Sequence, residues 1–491
     1  MAAADGPLVL AVDQGTSSTK AVLLDDTGQL QQTCLVPLSQ SHPQPGWAEQ
    51  DPLEIWSSVQ KAVADCLAGL DGSRVVGVGL STQRESTLLW ERQGGQPLSL
   101  VLSWQDDRGM QVCKRLRNAG SEPRVRALSG LPLDPMWSSS KATWLLDRHD
   151  PDRTRSRRAE LCLGTIDSWL VARLGGAHVV EAGNASRTQL LDLDSRAWSS
   201  ELLDLFDIPV EVLPTVVPSA GTFATAERLA PLTDAVPVTA VLADSHAALF
   251  AHGVRRPGQV KVTYGTGSSV MGLTAGLNPD SPQLCRSIAW QLDDTQYALE
   301  GNIRSSGATL AWLAALLETT PAKLAATSHT DSGGISLVPA FTGLGAPWWD
   351  DSAVGVLTGL HLGTRAGHLA RAALESIAFQ VEDVVAAAER QVGRIDTLLA
   401  DGGATANRAL MQLQADTSGR TVLRDTAKDL SAVGAAQLAG VVAGLWTAKD
   451  LQAQAREQER FDPMEDAVPR AHRQAGWHGA LARARLRPEP R

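Results

Sequence analysis

The chain has 491 residues, with 54 acidic against 44 basic side chains, a net charge of −10, and 43% hydrophobic residues. That length allows two large domains, each with its own core, and the acidity excludes general nucleic-acid binding, which needs a basic footprint. No run approaches the roughly 18 apolar residues of a membrane span, and no secretory leader is visible. Five scattered cysteines (Cys34, Cys66, Cys113, Cys162, Cys285) without paired spacing read as free thiols of a reducing compartment, so a cytoplasmic location is expected. Two basic runs, Arg153–Arg158 and Arg483–Arg491, read as solvated surface.

The first element is an apolar strand, Val9–Val12, which ends at Asp13 and turns through Gln14-Gly15-Thr16-Ser17-Ser18-Thr19-Lys20 into a second apolar run, Ala21–Leu24. That pattern predicts a β-hairpin with a hydroxyl-rich tip. Backbone N–H groups and hydroxyls at such a tip can surround phosphate oxygens, while Asp13 can hold a hydrated divalent cation. An ordinary turn, with Asp and Gly in purely local roles, explains the same residues. A third strand is expected at Leu30–Leu35. A helix then starts at Asp51 as N-cap, with Pro52 in its first turn and Glu54 completing a capping box. Its apolar residues Trp56, Val59, Val63, Cys66, Leu67 and Leu70 recur at helical spacing, and a buried strand follows at Val75–Leu80. Three strands, a helix and a strand open an actin-like or ribonuclease-H-like domain.

Val241-Leu242-Ala243 reads as a buried strand ending in Asp244, with Asp244 a natural N-cap for a helix beginning at Ser245. Adjacent Ser245 and His246 cannot converge with it as a hydrolase triad, and no G-x-S-x-G elbow surrounds them. A domain boundary is expected near Val254–Gly258, dividing the chain into 1–254 and 255–491. Beyond it the opening pattern returns. Gln259–Thr263 runs into Tyr264-Gly265-Thr266-Gly267-Ser268-Ser269, and Val270–Leu273 closes a second hairpin. Strand Tyr297–Glu300, helices Ala308–Leu317 and Leu369–Gln391, strand Thr397–Ala400 and a turn at Asp401-Gly402-Gly403-Ala404 follow. Two such hairpins half a chain apart point to a duplicated domain that holds nucleotide between its halves. Neither fits a P-loop or dinucleotide fingerprint.

The chain resembles the FGGY carbohydrate kinases, most of all their glycerol kinase branch, from about Leu8 to about Ala480. The resemblance rests on Asp13–Lys20, Pro45–Asp51, Thr82-Gln83-Arg84-Glu85-Ser86, Gly164–Leu170 and Asn184-Ala185-Ser186-Arg187. It continues through Tyr264–Gly267, Phe341–Pro347, Leu374–Ala378 and Asp401–Asn407. It implies an α/β fold of two actin-like domains with an interdomain cleft, the polyol or sugar mostly on the first and ATP mostly on the second. By position it implies that Gly15, Thr16 and Ser17 contact phosphates, with Asp13 organising Mg²⁺ through water. Lys20 stands where that branch carries an arginine, keeping the charge and losing the planar fork. Thr266, Gly307, Gly403 and Asn407 would belong to the nucleotide site, although Asn407 also reads as a helix N-cap.

The same resemblance makes Asp244 the base that accepts the proton of the attacking hydroxyl. Arg84 and Glu85 would grip substrate hydroxyls, one donating and one accepting, and Trp104 would pack on the carbon chain. Met136, Ser245 and Ser269 replace a tyrosine, a glutamine and a phenylalanine of that branch. The changed pocket implies a substrate larger than glycerol, such as a four- or five-carbon polyol or a ketose. The expected activity is therefore ATP-dependent phosphorylation of a small polyol or sugar, with no nucleic-acid or membrane partner. A ketopentose kinase, an actin-like ATPase without a small acceptor and a catalytically weak binding relative are the alternatives. For assembly the alternatives are a homodimer or a homotetramer.

Overall fold

The structure, a computed structural model, describes residues 6–233, 235–276, 283–427, 429–454 and 457–486. In chain order the strands that frame the site are β1 (Leu8–Gln14), β2 (Ser18–Asp25), β3 (Leu30–Pro37), β4 (Val75–Thr82), β5 (Ala220–Thr225), β6 (Pro237–Ala243), β7 (Gln259–Tyr264), β8 (Ser268–Thr274), β9 (Thr295–Ile303), β10 (Thr397–Asp401), β11 (Thr421–Asp425) and β12 (Gln458–Phe461). The helices are α1 (Pro52–Cys66), α2 (Ser138–His149), α3 (Ala182–Ser186), α4 (Asp244–Ala251), α5 (Gly307–Leu316), α6 (Ala366–Val392), α7 (Arg408–Ser418) and α8 (Leu430–Val442).

The chain divides into two compact units. The first comprises Met1–Gly253, Arg286–Tyr297 and Asp429–Ala455; the second comprises Val254–Cys285, Ala298–Lys428 and Arg456–Arg491. The first changeover falls after Gly253. Two later segments nevertheless pack with the first unit, which no contiguous division describes.

The sheet of the first unit runs β5-β6-β4-β1-β2-β3. β1 pairs antiparallel with β2 and parallel with β4, and β4 pairs parallel with β6. Leu8, Leu10 and Val12 alternate along β1 onto the core that Ile55, Val59 and Val63 of α1 complete. On the other face Gly77 and Gly79 of β4 admit α8. A Cβ at Gly79 would sit 2.6 Å from the carbonyl carbon of Ala435. Helices cover both faces, as parallel strands require.

Local signals explain α1, with one correction. Asp51 caps it by accepting from the N–H of Leu53 at 2.8 Å. Glu54 does not close the expected capping box. Its carboxylate is taken by the N–H of Ser39 at 2.9 Å, so it ties the helix start to the segment after β3.

Six neighbouring strands of the second sheet run β9-β8-β7-β10-β11-β12. β7 pairs antiparallel with β8 and parallel with β10, repeating the arrangement of β1, β2 and β4. The 27-residue α6 buries Ala373, Ile377, Val381, Val384 and Ala388 against this unit's core. Strand Cys285–Gln291 carried no recognised sequence signal.

Of the basic run at 153–158, Arg153 is buried and paired with Asp147 and Asp207, so it is structural and not solvated. Residues 487–491 of the second run lie outside the described residues. The five cysteines are free; four are buried, and Cys34 is half-buried. Among the described residues no helix is long and apolar enough to cross a membrane.

Candidate active site

The tip between β1 and β2 is braced through its carbonyl groups. Gln50 donates to the carbonyl of Thr16 at 2.7 Å, Gln83 to that of Gly15 at 3.3 Å, and the N–H of Leu38 to that of Ser17 at 3.0 Å. Gly15 closes the turn by donating to the carbonyl of Ser18 at 3.0 Å. Among the described residues nothing accepts the N–H of Thr16 or Ser17. A turn with committed carbonyls and free N–H groups is suited to an anion.

Behind the tip, Ser81 on β4 donates to Asp13 at 2.7 Å. Burial pushes the Asp13 carboxyl up to about 6; the Ser81 bond and Lys20 oppose this, while Asp244 and Asp429 add to it. The ammonium of Lys20 is held by Asp429 at 2.6 Å. Asp429 immediately precedes α8, so the first unit's returning segment supplies a site residue that sequence reasoning missed.

Asp244 is the first residue of α4, with Ala243 as the extended N-cap. The helix therefore starts one residue before Ser245. Its carboxylate accepts from the N–H of Ser245 at 2.5 Å and lies 3.3 Å from Nε of Arg84. The Asp244 side chain keeps 34% exposure, whereas Arg84 and Glu85 are nearly buried. Arg84 and Glu85 approach each other at 3.8 Å.

Trp104 is tied to the tip, its indole N–H donating to the hydroxyl of Thr16 at 2.9 Å, and the residue is 37% exposed. Met136 is half-buried in the loop before α2, and its carbonyl accepts from Lys141 at 2.5 Å. Ser245 is half-buried beside Asp244. His246 is buried and faces Ser287 at 3.4 Å, away from any triad with its neighbours.

The second unit gathers the other set. The N–H of Gly265 donates to the carbonyl of Gly267 at 2.9 Å, closing the second turn over two residues where Gly15 closes the first over three. Carbonyls of Gly265 and Thr266 accept from Ser306, Gly307 and Ala308, which joins the turn to the start of α5. A side chain at Gly307 would meet the carbonyl of Gly265 at 2.6 Å, so glycine permits this junction. Gly402, at φ +94°, packs on the backbone of Tyr264, while the space beside Gly403 is open. Asn407 caps α7 by accepting from Leu410 at 3.2 Å. The Ser269 hydroxyl reaches Glu300 at 3.3 Å. Thr266, Gly307 and the Gly402-Gly403 turn are thus brought together; Ser269 belongs to the same unit, on β8.

Gln50 and Gln83 were visible within matched motifs but carried no assigned role. Arg187, also within a motif, donates to Glu85 at 2.6 Å and was likewise missed. Nothing local in the sequence links Asp429 to Lys20.

Residues 8–251 match the N-terminal domain of the FGGY family of carbohydrate kinases, and residues 260–443 match its C-terminal domain. Glycerol kinases are among the curated relatives. That of Aromatoleum aromaticum is 43% identical, covering 97% of this chain and 98% of its own length. That of Citrifermentans bemidjiense is 42% identical over 96% of this chain and 97% of its own. Among solved structures, Plasmodium falciparum glycerol kinase with ADP superposes with a TM-score of 0.92 at 25% identity, covering 98% of this chain and 99% of that one. Xylulose kinase from Rhodospirillum rubrum gives 0.86 at 26% identity over 97% and 98%. Both actin-like halves, their matched hairpins and these full-length likenesses agree: the chain belongs to the FGGY family of carbohydrate kinases and is a phosphotransferase.

Proposed function

We propose that this kinase transfers the γ-phosphoryl group of ATP to a hydroxyl of a small, glycerol-like polyol of three to five carbons, with Asp244 as general base. The observation that carries this reading is the partly exposed Asp244 carboxylate 3.3 Å from Arg84, with Glu85 alongside. A hydroxyl held between an arginine donor and a glutamate acceptor has its proton next to a carboxylate on a helix start. Phosphoryl transfer asks little covalent chemistry of the protein, so positioning and one base suffice. Trp104 supplies an apolar wall for the carbon chain, and Met136 and Ser245 set its length and polarity. Full-length similarity to glycerol kinases favours a short polyol over a ketopentose.

The free N–H groups of Thr16 and Ser17, with Gly15 and Lys20, would receive phosphate oxygens, and Thr266, Gly307, Gly403 and Asn407 would serve the nucleotide. The residues present fit Mg²⁺. Asp13 is a half-buried carboxylate crowded by Asp244 and Asp429, where a divalent cation relieves like-charge repulsion. No cluster of three or more protein ligands occurs among the described residues, so Asp13 would hold the ion through water, with phosphates completing its shell. When bound, Mg²⁺ neutralises charge on the phosphates.

The test is ADP release with and without glycerol, erythritol, ribitol and xylulose. The expected result is a polyol-dependent rate roughly two orders of magnitude or more above the polyol-free rate, in line with the contribution of positioned acceptors. ATP turnover indifferent to every acceptor would overturn the reading in favour of an actin-like ATPase.

A further inference from the structure

The motif Asn184–Arg187 carries a residue that the proposed chemistry does not use. Arg187 follows α3 as its C-cap, is fully buried, and donates from Nε to Oε1 of Glu85 at 2.6 Å. Its guanidinium carbon lies 4.7 Å from the ring centre of Trp137, whose indole N–H is fixed on the carbonyl of Pro132 at 2.7 Å. A guanidinium withdrawn this far from water is costly unless paired, and Glu85 supplies a carboxylate partner.

Glu85 is itself in an uncommon state. Its φ is +61°, and the N–H of Ser86 donates to the carbonyl of Arg84 at 2.7 Å, so Glu85 is the centre of a left-handed γ-turn. Along an extended strand the side chains of residues 84 and 85 would point to opposite faces. The γ-turn breaks that alternation and lets Arg84 and Glu85 meet at 3.8 Å beside Asp244. Strain of this kind persists only where surrounding contacts hold it. Here Ser138 donates to the carbonyl of Glu85 at 3.0 Å, and Arg187 holds its carboxylate.

We propose that Arg187 is a positioning residue of the acceptor site: it fixes Glu85 within the strained turn and, through Glu85, sets Arg84 on Asp244. This rests on the polyol kinase reading above. A charge-assisted bond to a planar donor defines the direction of the carboxylate as well as its charge, which a lysine reproduces only in part.

The test compares Arg187→Met and Arg187→Lys, each alone and combined with Glu85→Gln, by steady-state kinetics in both substrates. Arg187→Met is expected to raise the polyol KM about tenfold or more while the ATP KM stays within about twofold, and Arg187→Lys to recover part of that loss. In the Glu85→Gln background Arg187→Met should add less than about a twofold change, because its effect runs through Glu85. If Arg187→Met does not fold, Arg187→Lys decides, with an expected rise of about threefold in polyol KM. An unchanged polyol KM, equal losses in both substrates, or effects that multiply in the double variant overturn the proposal alone. A wild-type chain that no polyol activates overturns the kinase reading and this proposal with it.

Discussion

At the scale of single residues, the carbonyl of Met136 is held by a buried lysine. Lys141 is fully buried and donates to the carbonyl of Met136 at 2.5 Å. Burial pulls its ammonium down from 10.5 to about 8, although Glu85, Asp106 and Asp134 favour the charge. The folded state therefore binds this proton more weakly than the unfolded chain between pH values of about 8 and 10.5. Burying the ammonium therefore costs stability below that window, and the cost disappears as pH rises through it. The shift corresponds to about 3 kcal/mol, far more than an exposed pair such as Lys61–Asp65 supplies. Denaturant unfolding followed across the window should show stability rising with pH in the wild type, with the total rise across the window smaller by about that amount in Lys141→Met. Equal slopes in the two proteins would contradict the account.

At the scale of elements, α8 packs the returning segment against α4, the helix that begins at Asp244. Its sequence, Leu430–Val442, is rich in small residues, and Ala432, Gly434, Ala435, Ala436 and Ala439 are all buried. A helix apolar on every side belongs inside a protein, but that pattern does not name its neighbours. The structure places it against β1, β4, β6 and α4. Gly434 meets α4 so closely that a Cβ would lie 2.7 Å from the carbonyl carbon of Ala247, three residues beyond Asp244. Gly434→Ala should therefore overpack this crossing, costing about 2 kcal/mol and lowering kcat through displacement of Asp244. Thermal unfolding and steady-state kinetics check both effects, and a variant like the wild type in each would contradict this packing. The start of α1 shows the reach of local signals. Asp51 and Pro52 marked it correctly, whereas Glu54 was drawn to Ser39 because a tertiary donor outcompeted the local one.

At the scale of the whole molecule, the duplication was legible because it is written locally. Each half has an apolar run, a glycine and hydroxyl turn, and a second apolar run, and each folds as a hairpin beside a parallel strand. Residues that share one motif, such as Arg84 with Glu85, were also legible. What stayed hidden is what chain distance conceals. Asp429 meets Lys20 across 409 positions, and Arg187 meets Glu85 across 102. Neither pairing leaves a period or a spacing to read. The central claim is that one carboxylate, Asp244, serves as the base for a small acceptor. Rapid-quench measurement of phosphoryl transfer from ATP to glycerol, in the wild type and in Asp244→Asn at matched ATP saturation, tests it most directly. The predicted result is glycerol phosphate formation by the wild type, with a loss of about 10²–10⁴ in rate for the variant and little change in ATP affinity. Transfer at an undiminished rate by Asp244→Asn would contradict it.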